Sequence, residues 1–79
     1  MAVLRLFASI RVAAGTGTAD FDGATVEEII TAATQRFGPD FAQQLPNCKL
    51  WLNGHATQPD APVTATDEVA LLPPVSGGR

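Results

Sequence analysis

Thr25-Val26-Glu27-Glu28-Ile29-Ile30-Thr31-Ala32-Ala33-Thr34-Gln35-Arg36-Phe37-Gly38-Pro39 carries a full set of helix signals. Thr25 stands three residues before Glu28, the spacing of a capping box. Val26, Ile29, Ile30, Ala33 and Phe37 recur at helical intervals, which gathers them into one apolar stripe. Gly38 accepts the left-handed conformation that closes a helix, and Pro39 cannot continue the hydrogen-bond ladder. One helix of about 13 residues covers only one face of a sheet, so the strands around it are expected to form an α+β two-layer domain.

Working outward, Ala2 to Ala8 alternates as a strand, with Leu4, Leu6 and Ala8 on one face and Val3, Arg5 and Phe7 on the other. Ser9 to Gly17, rich in small residues, reads as a loop, and Thr18 to Asp22 as a second strand completing a hairpin. Beyond the helix, Phe41 and Leu45 belong to a short helical turn ended by Pro46. Cys48 to Leu52 is a third strand. Asn53-Gly54 suits a type I′ turn, because both positions need positive φ, so residues 55 to 58 should pair back. Pro59 and Pro62 break regular structure, residues 63 to 67 form a turn, and Glu68 to Leu72 is the last strand. The expected order is two strands, the helix, a short turn and three strands.

Seventy-nine residues make one domain, burying roughly 60–65 % of the surface of its unfolded chain. A hydrophobic fraction of 46 % against 16 % charged residues indicates a globular chain. The single cysteine, Cys48, excludes an internal disulfide framework, and no Cys/His cluster stands ready for zinc. A reducing cytoplasm suits such a chain. Neither a secretory leader nor a membrane-length apolar run is present. The net charge is −3, and the five basic residues are scattered at positions 5, 11, 36, 49 and 79, which leaves no phosphate-binding stripe and argues against nucleic acid as a partner. An acidic balance is compatible with docking on a basic partner site.

Residues that suggest catalysis reduce to ordinary roles. His55 follows the Asn53-Gly54 turn with no acid nearby in sequence to orient it. Cys48 reads as a small buried hydrophobe on an apolar strand rather than a nucleophile. Ser9 and Ser76 lack a His/Asp constellation, Glu27-Glu28 is explained by capping and the helix dipole, and Asp67-Glu68 by a turn and a solvated edge. No enzyme site emerges. Phe7, Ala70, Leu72, Pro73 and Val75 either form a docking surface or lie under the chain's own loops.

The chain closes on Pro73-Pro74-Val75-Ser76-Gly77-Gly78-Arg79. The paired prolines keep the backbone extended, and the glycines are thin enough to thread a narrow channel. The expected division is a domain over residues 1–72 and an extended tail over 73–79. At ~3.3 Å per residue the tail reaches ~20 Å, enough to enter another protein's active site. The plain alternative is a frayed terminus.

Leu4-Arg5-Leu6-Phe7-Ala8-x-x-Arg11, Thr25-Val26-Glu27-Glu28-Ile29, Leu52-Asn53-Gly54 and above all Asp67 to Gly78 resemble the MoaD/ThiS sulfur carriers, most closely the small subunit of molybdopterin synthase. The resemblance runs through essentially the whole chain and implies a ubiquitin-like β-grasp fold: a mixed sheet of about five strands with one main helix on one face. It further implies a non-catalytic sulfur donor with no bound cofactor. An E1-like adenylyltransferase of the MoeB/ThiF type would use ATP to adenylate the Gly78 carboxylate, which then becomes a thiocarboxylate. Gly77 would keep the tail's path through a MoaE-like large subunit clear, and Phe7, Leu72, Pro73, Pro74 and Val75 would lie against these partners. Two positions depart from the family pattern. Arg79 locks Gly78 in a peptide bond, so a C-terminal peptidase would have to remove it first. Thr66 stands where the family commonly has glycine, a change confined to a turn. A carrier for cysteine, thiamine or secondary-metabolite synthesis, a ubiquitin-like protein modifier and a plain binding module are the alternatives.

Overall fold

The computed structural model describes residues 1–73. The chain runs β1 (Ala2–Leu6), α1 (Ala8–Ala14), β2 (Thr18–Phe21), α2 (Val26–Phe37), α3 (Pro39–Gln44), a 3-10 turn (Leu45–Asn47), β3 (Lys49–Leu52), β4 (His55–Ala56) and β5 (Glu68–Leu72). The strands form one mixed sheet in the order β2-β1-β5-β3-β4. β1 and β5 pair in parallel at its centre, with Val3 opposite Glu68 and Leu6 opposite Leu71. The other pairings are antiparallel. This is the α+β, ubiquitin-like β-grasp arrangement that the sequence implied.

Alternation decides which face is covered. Ala2, Leu4 and Leu6 of β1 and Val69 and Leu71 of β5 are buried against Val26, Ile29 and Ala33 of α2, with Phe41 of α3 closing the same core. The Phe37 ring meets Phe21 edge-on at 5.9 Å and Phe41 at 5.2 Å. Thr25 caps α2 as expected, its Oγ1 accepting the Glu28 backbone N–H at 3.2 Å. The reciprocal bond is displaced by one residue, because Glu28 Oε1 accepts from Ala24 N rather than from Thr25. The Thr25 contact satisfies an orphan donor of the first turn, and the Glu28 contact ties the entering residue Ala24 to the helix.

The segment read as a loop, residues 9–17, is corrected: it begins with α1. Ala8 makes the turn from strand to helix at φ 52, a left-handed conformation costing an L-residue ~1–2 kcal/mol, and Gly15 closes the helix in the same region at φ 79. A single residue, Ile10, is wholly buried and anchors this helix. Ser9 Oγ, 3.0 Å from Gln44 Oε1, ties it to α3. The helical layer is therefore α2 supplemented by α1 and α3, all on one side, and the second face of the sheet is left without a helix. Cys48 also differs from its expected place. It ends the 3-10 turn just before β3 and is half-buried, its thiol donating to the Gln44 carbonyl at 3.3 Å.

Candidate functional site

The open face of the sheet and the end of β5 form one candidate site. β5 is the central strand and ends at Leu72, with β1 on one flank and β3 on the other. Because alternate residues of β5 are spent on the core, Glu68, Ala70 and Leu72 face outward. Register brings Arg5 of β1 and Trp51 of β3 to either side of Ala70, and Lys49 beside Leu72. Phe7, just past the end of β1, is 41 % exposed. Phe7, Trp51, Gly54, Glu68, Ala70 and Leu72 line one mainly apolar depression of about 290 Å³.

Among the expected interface residues, Phe7 and Leu72 come together here, and Pro73 continues from Leu72. Pro74, Val75, Gly77, Gly78 and Arg79 lie outside the described residues. Sequence reading missed Trp51, the largest side chain of the depression. Its parity with Lys49 along β3 was legible, but its place beside Ala70 depends on the β3–β5 register, which no local signal supplies. Trp51 Nε1 is the buried side-chain polar atom that lacks a hydrogen-bond partner among the described residues.

The Asn53-Gly54 turn holds the far end of the site. Asn53 takes φ 52 and Gly54 φ 84, as a type I′ turn requires. Asn53 Oδ1 accepts from Glu68 N at 2.9 Å, its Nδ2 donates to Asp67 Oδ1 at 2.9 Å, and Asp67 Oδ2 accepts from Thr64 N at 2.7 Å. The turn is thus bolted to the start of β5, fixing the register on which the depression depends. The Asn53 side chain first, and the Thr64 N–H second, hold the Asp67 carboxyl below its usual range. A lowered folded-state pKa stabilises the fold wherever the unfolded group would be ionised, and that contribution is lost as pH falls through the folded value. Asp67→Asn is therefore expected to unfold at lower urea than wild type at neutral pH. The gap should narrow from about pH 4 downward, where the unfolded aspartate takes up its proton, and close as pH falls through the lower folded value. Urea midpoints across that range check it.

The remaining polar candidates carry no chemistry together. His55 is exposed on β4. Burial pushes the Cys48 thiol up, away from the thiolate form a nucleophile needs. Arg5 Nη1 and Glu68 Oε2 form an exposed ion pair at 3.1 Å on the rim of the depression. No group of three His, Cys, Asp or Glu side chains able to hold a metal occurs among the described residues, and none of their helices is long and apolar enough to cross a membrane.

The described residues thus present one face of the sheet without a helix, with β5 at its centre. SAMP1 from Haloferax volcanii is 32 % identical over 98 % of each chain, with a TM-score of 0.85. The small archaeal modifier protein 1 from Methanosarcina acetivorans is 24 % identical, over 98 % of this chain and 95 % of that one, with a TM-score of 0.88. A chain from the complex of subunits 1 and 2 of the molybdopterin-converting factor of Helicobacter pylori is 26 % identical, over 98 % of this chain and 97 % of that one, with a TM-score of 0.73. No curated protein matches the chain significantly. The profile of the ThiS family covers residues 4–78, from within β1 through Gly78. The chain belongs to the ThiS family of small ubiquitin-like sulfur carriers, which are not themselves catalysts.

Proposed function

We propose that this carrier delivers sulfur for molybdopterin synthesis as the small subunit of a synthase, with Gly78 as its reactive end. The observation that carries the reading is the path of β5: the central strand runs through an open apolar face directly into Pro73 and the Pro74–Gly78 segment. Arg79 must leave first, by hydrolysis of its peptide bond, to free the Gly78 carboxylate. That carboxylate attacks the α-phosphorus of ATP, pyrophosphate departs, and the acyl adenylate is formed. Hydrosulfide then attacks the acyl carbon, a C–S bond forms as the C–O bond to AMP breaks, and the thiocarboxylate and AMP result. The face around Phe7, Trp51 and Leu72 docks first on the E1-like adenylyltransferase and then on the MoaE-like large subunit, and Gly77 passes through a channel too narrow for a side chain. The subunit complex of the Helicobacter pylori relative supports the synthase reading.

A second reading, a modifier joined to lysines of other proteins, is favoured by the identity to SAMP1 of Haloferax volcanii. Intact mass of untagged protein from its own host separates these. A species ending at Gly78 with one carboxyl oxygen replaced by sulfur supports the carrier, higher-mass conjugates support the modifier, and only unmodified Arg79 would sink both. In a chain ending at residue 78, Gly78→Ala is expected to cut sulfur transfer by about a hundredfold or more, since displacing a reacting group by about 1 Å is enough to do so. Single-turnover transfer from the thiocarboxylated variant measures it.

A further inference from the structure

The net charge of −3 conceals a separation of charge along the sheet. β1 and β5 run parallel, so Ala2 and Glu68 share one end and Leu6 and Leu72 the other, where the tail leaves. β2 and β3 are antiparallel to them, placing Phe21 and Leu52 toward the first end and Thr18 and Lys49 toward the second. The carboxylates gather at the Met1 end. Asp20 lies opposite Val3, Asp22 is 4.0 Å from the Met1 ammonium, and Val3 N donates to the Asp67 carbonyl. Glu27 and Glu28 begin α2, which is hydrogen-bonded to the loop carrying Asp60 through Glu27 N to Pro59 and Val26 N to Ala61. Of the other two acids, Glu68 is neutralised by Arg5, and Asp40 sits in the helical layer beside Ser9 and Val12.

Arg36 belongs to the Met1 end, lying 5.7 Å from the centroids of the Phe21 and Phe37 rings. At the tail end two cations, Arg11 and Lys49, stand on the sheet side, with Asp40 behind them in the helical layer. Arg11 and Lys49 are exposed, and neither is within ion-pair distance of a carboxylate among the described residues. Arg11 lies along Gly17, where a Cβ would come within 3.2 Å of its Nε, and Gly17 is hydrogen-bonded to Leu6 at the last turn of β1. With Arg5, Phe7 and Thr18 it lines a second depression, so the Phe7 ring separates a basic hollow from the apolar one. Lys49 flanks Leu72 from the opposite side.

We propose that Arg11 and Lys49 form a cationic collar around the tail's exit, and that the enzyme activating Gly78 presents carboxylates around the mouth of its tail channel to meet it. This rests on the carrier reading above and reverses the expectation that an acidic chain docks on a basic site: the docking pole carries the sign opposite to the whole. Such complementarity steers encounter and orients the tail toward the channel more than it adds to chemistry once the complex has formed.

The test uses the chain ending at Gly78, ATP and the purified E1-like adenylyltransferase encoded in the same genome, read by pyrophosphate release. Arg11→Glu with Lys49→Glu is expected to raise KM for the carrier about tenfold or more while leaving kcat within about twofold. The penalty should shrink as salt rises from about 0.01 M to about 1 M, over which the Debye length falls from ~30 to ~3 Å. Arg11→Gln with Lys49→Gln should fall between, and Glu27→Lys with Asp60→Lys, at the other pole, should leave KM within about twofold. Circular dichroism melts confirm that each variant folds. A double reversal that leaves KM unchanged, lowers it, or acts independently of salt overturns the collar alone. A wild-type chain that is never adenylated overturns the carrier reading and the collar with it.

Discussion

Phe41→Ala is expected to leave little folded protein at 37 °C. Phe41 has no exposed surface and packs on Phe37 at 5.2 Å within a core of small aliphatic and aromatic side chains. Truncating a buried phenylalanine costs about 3–5 kcal/mol in lost transfer energy and unfilled volume. At 0.05–0.15 kcal/mol per residue, a chain of this length has only ~4–12 kcal/mol in all. Thermal melts and urea titrations measure the loss, and a midpoint close to wild type would show that the α2–α3 corner collapses around the gap.

Phe7→Ala should do the reverse. Phe7 keeps 41 % of its surface exposed and caps α1 through its backbone, with no side-chain hydrogen bond. Its removal is expected to leave the melt nearly unchanged while weakening docking by at least ~2 kcal/mol, about thirtyfold, the behaviour of an aromatic anchor in an interface. The single tryptophan, Trp51, shares the depression with it, so intrinsic fluorescence reports the same docking event directly. An affinity for the large subunit unchanged by Phe7→Ala would remove the open face from the mechanism. Those two outcomes together would separate the part of the chain that makes the fold from the part that uses it.

Much of this was legible in the chain, for identifiable reasons. α2 carries its start signal at Thr25, its stop at Gly38-Pro39 and its apolar period between them, all within one local window. β5 was read over the same residues it occupies, and the Asn53-Gly54 turn adopted the positive φ its residues favour. α1 was not legible. Its seven residues contribute one buried side chain, Ile10, and a period of 3.6 cannot be recognised from a single point. It is a helix because Ile10 finds the core and Ser9 finds Gln44, contacts that exist only once α3 is in place.

The composition, the α2 window and the flanking strand signals determined by themselves that this is a small α+β domain, because each of those signals is local, and the run from Asp67 to Gly78 carries the resemblance to the carrier family. Which side chains share a surface with the end of β5 was decided by tertiary structure alone. Placing β5 between β1 and β3 joins Phe7, Trp51 and Leu72, which are scattered along the sequence, into one depression. The same pairing sorts dispersed charges into opposite poles. A strand's alternation says which residues share a face, but only its neighbours and register say what that face contains.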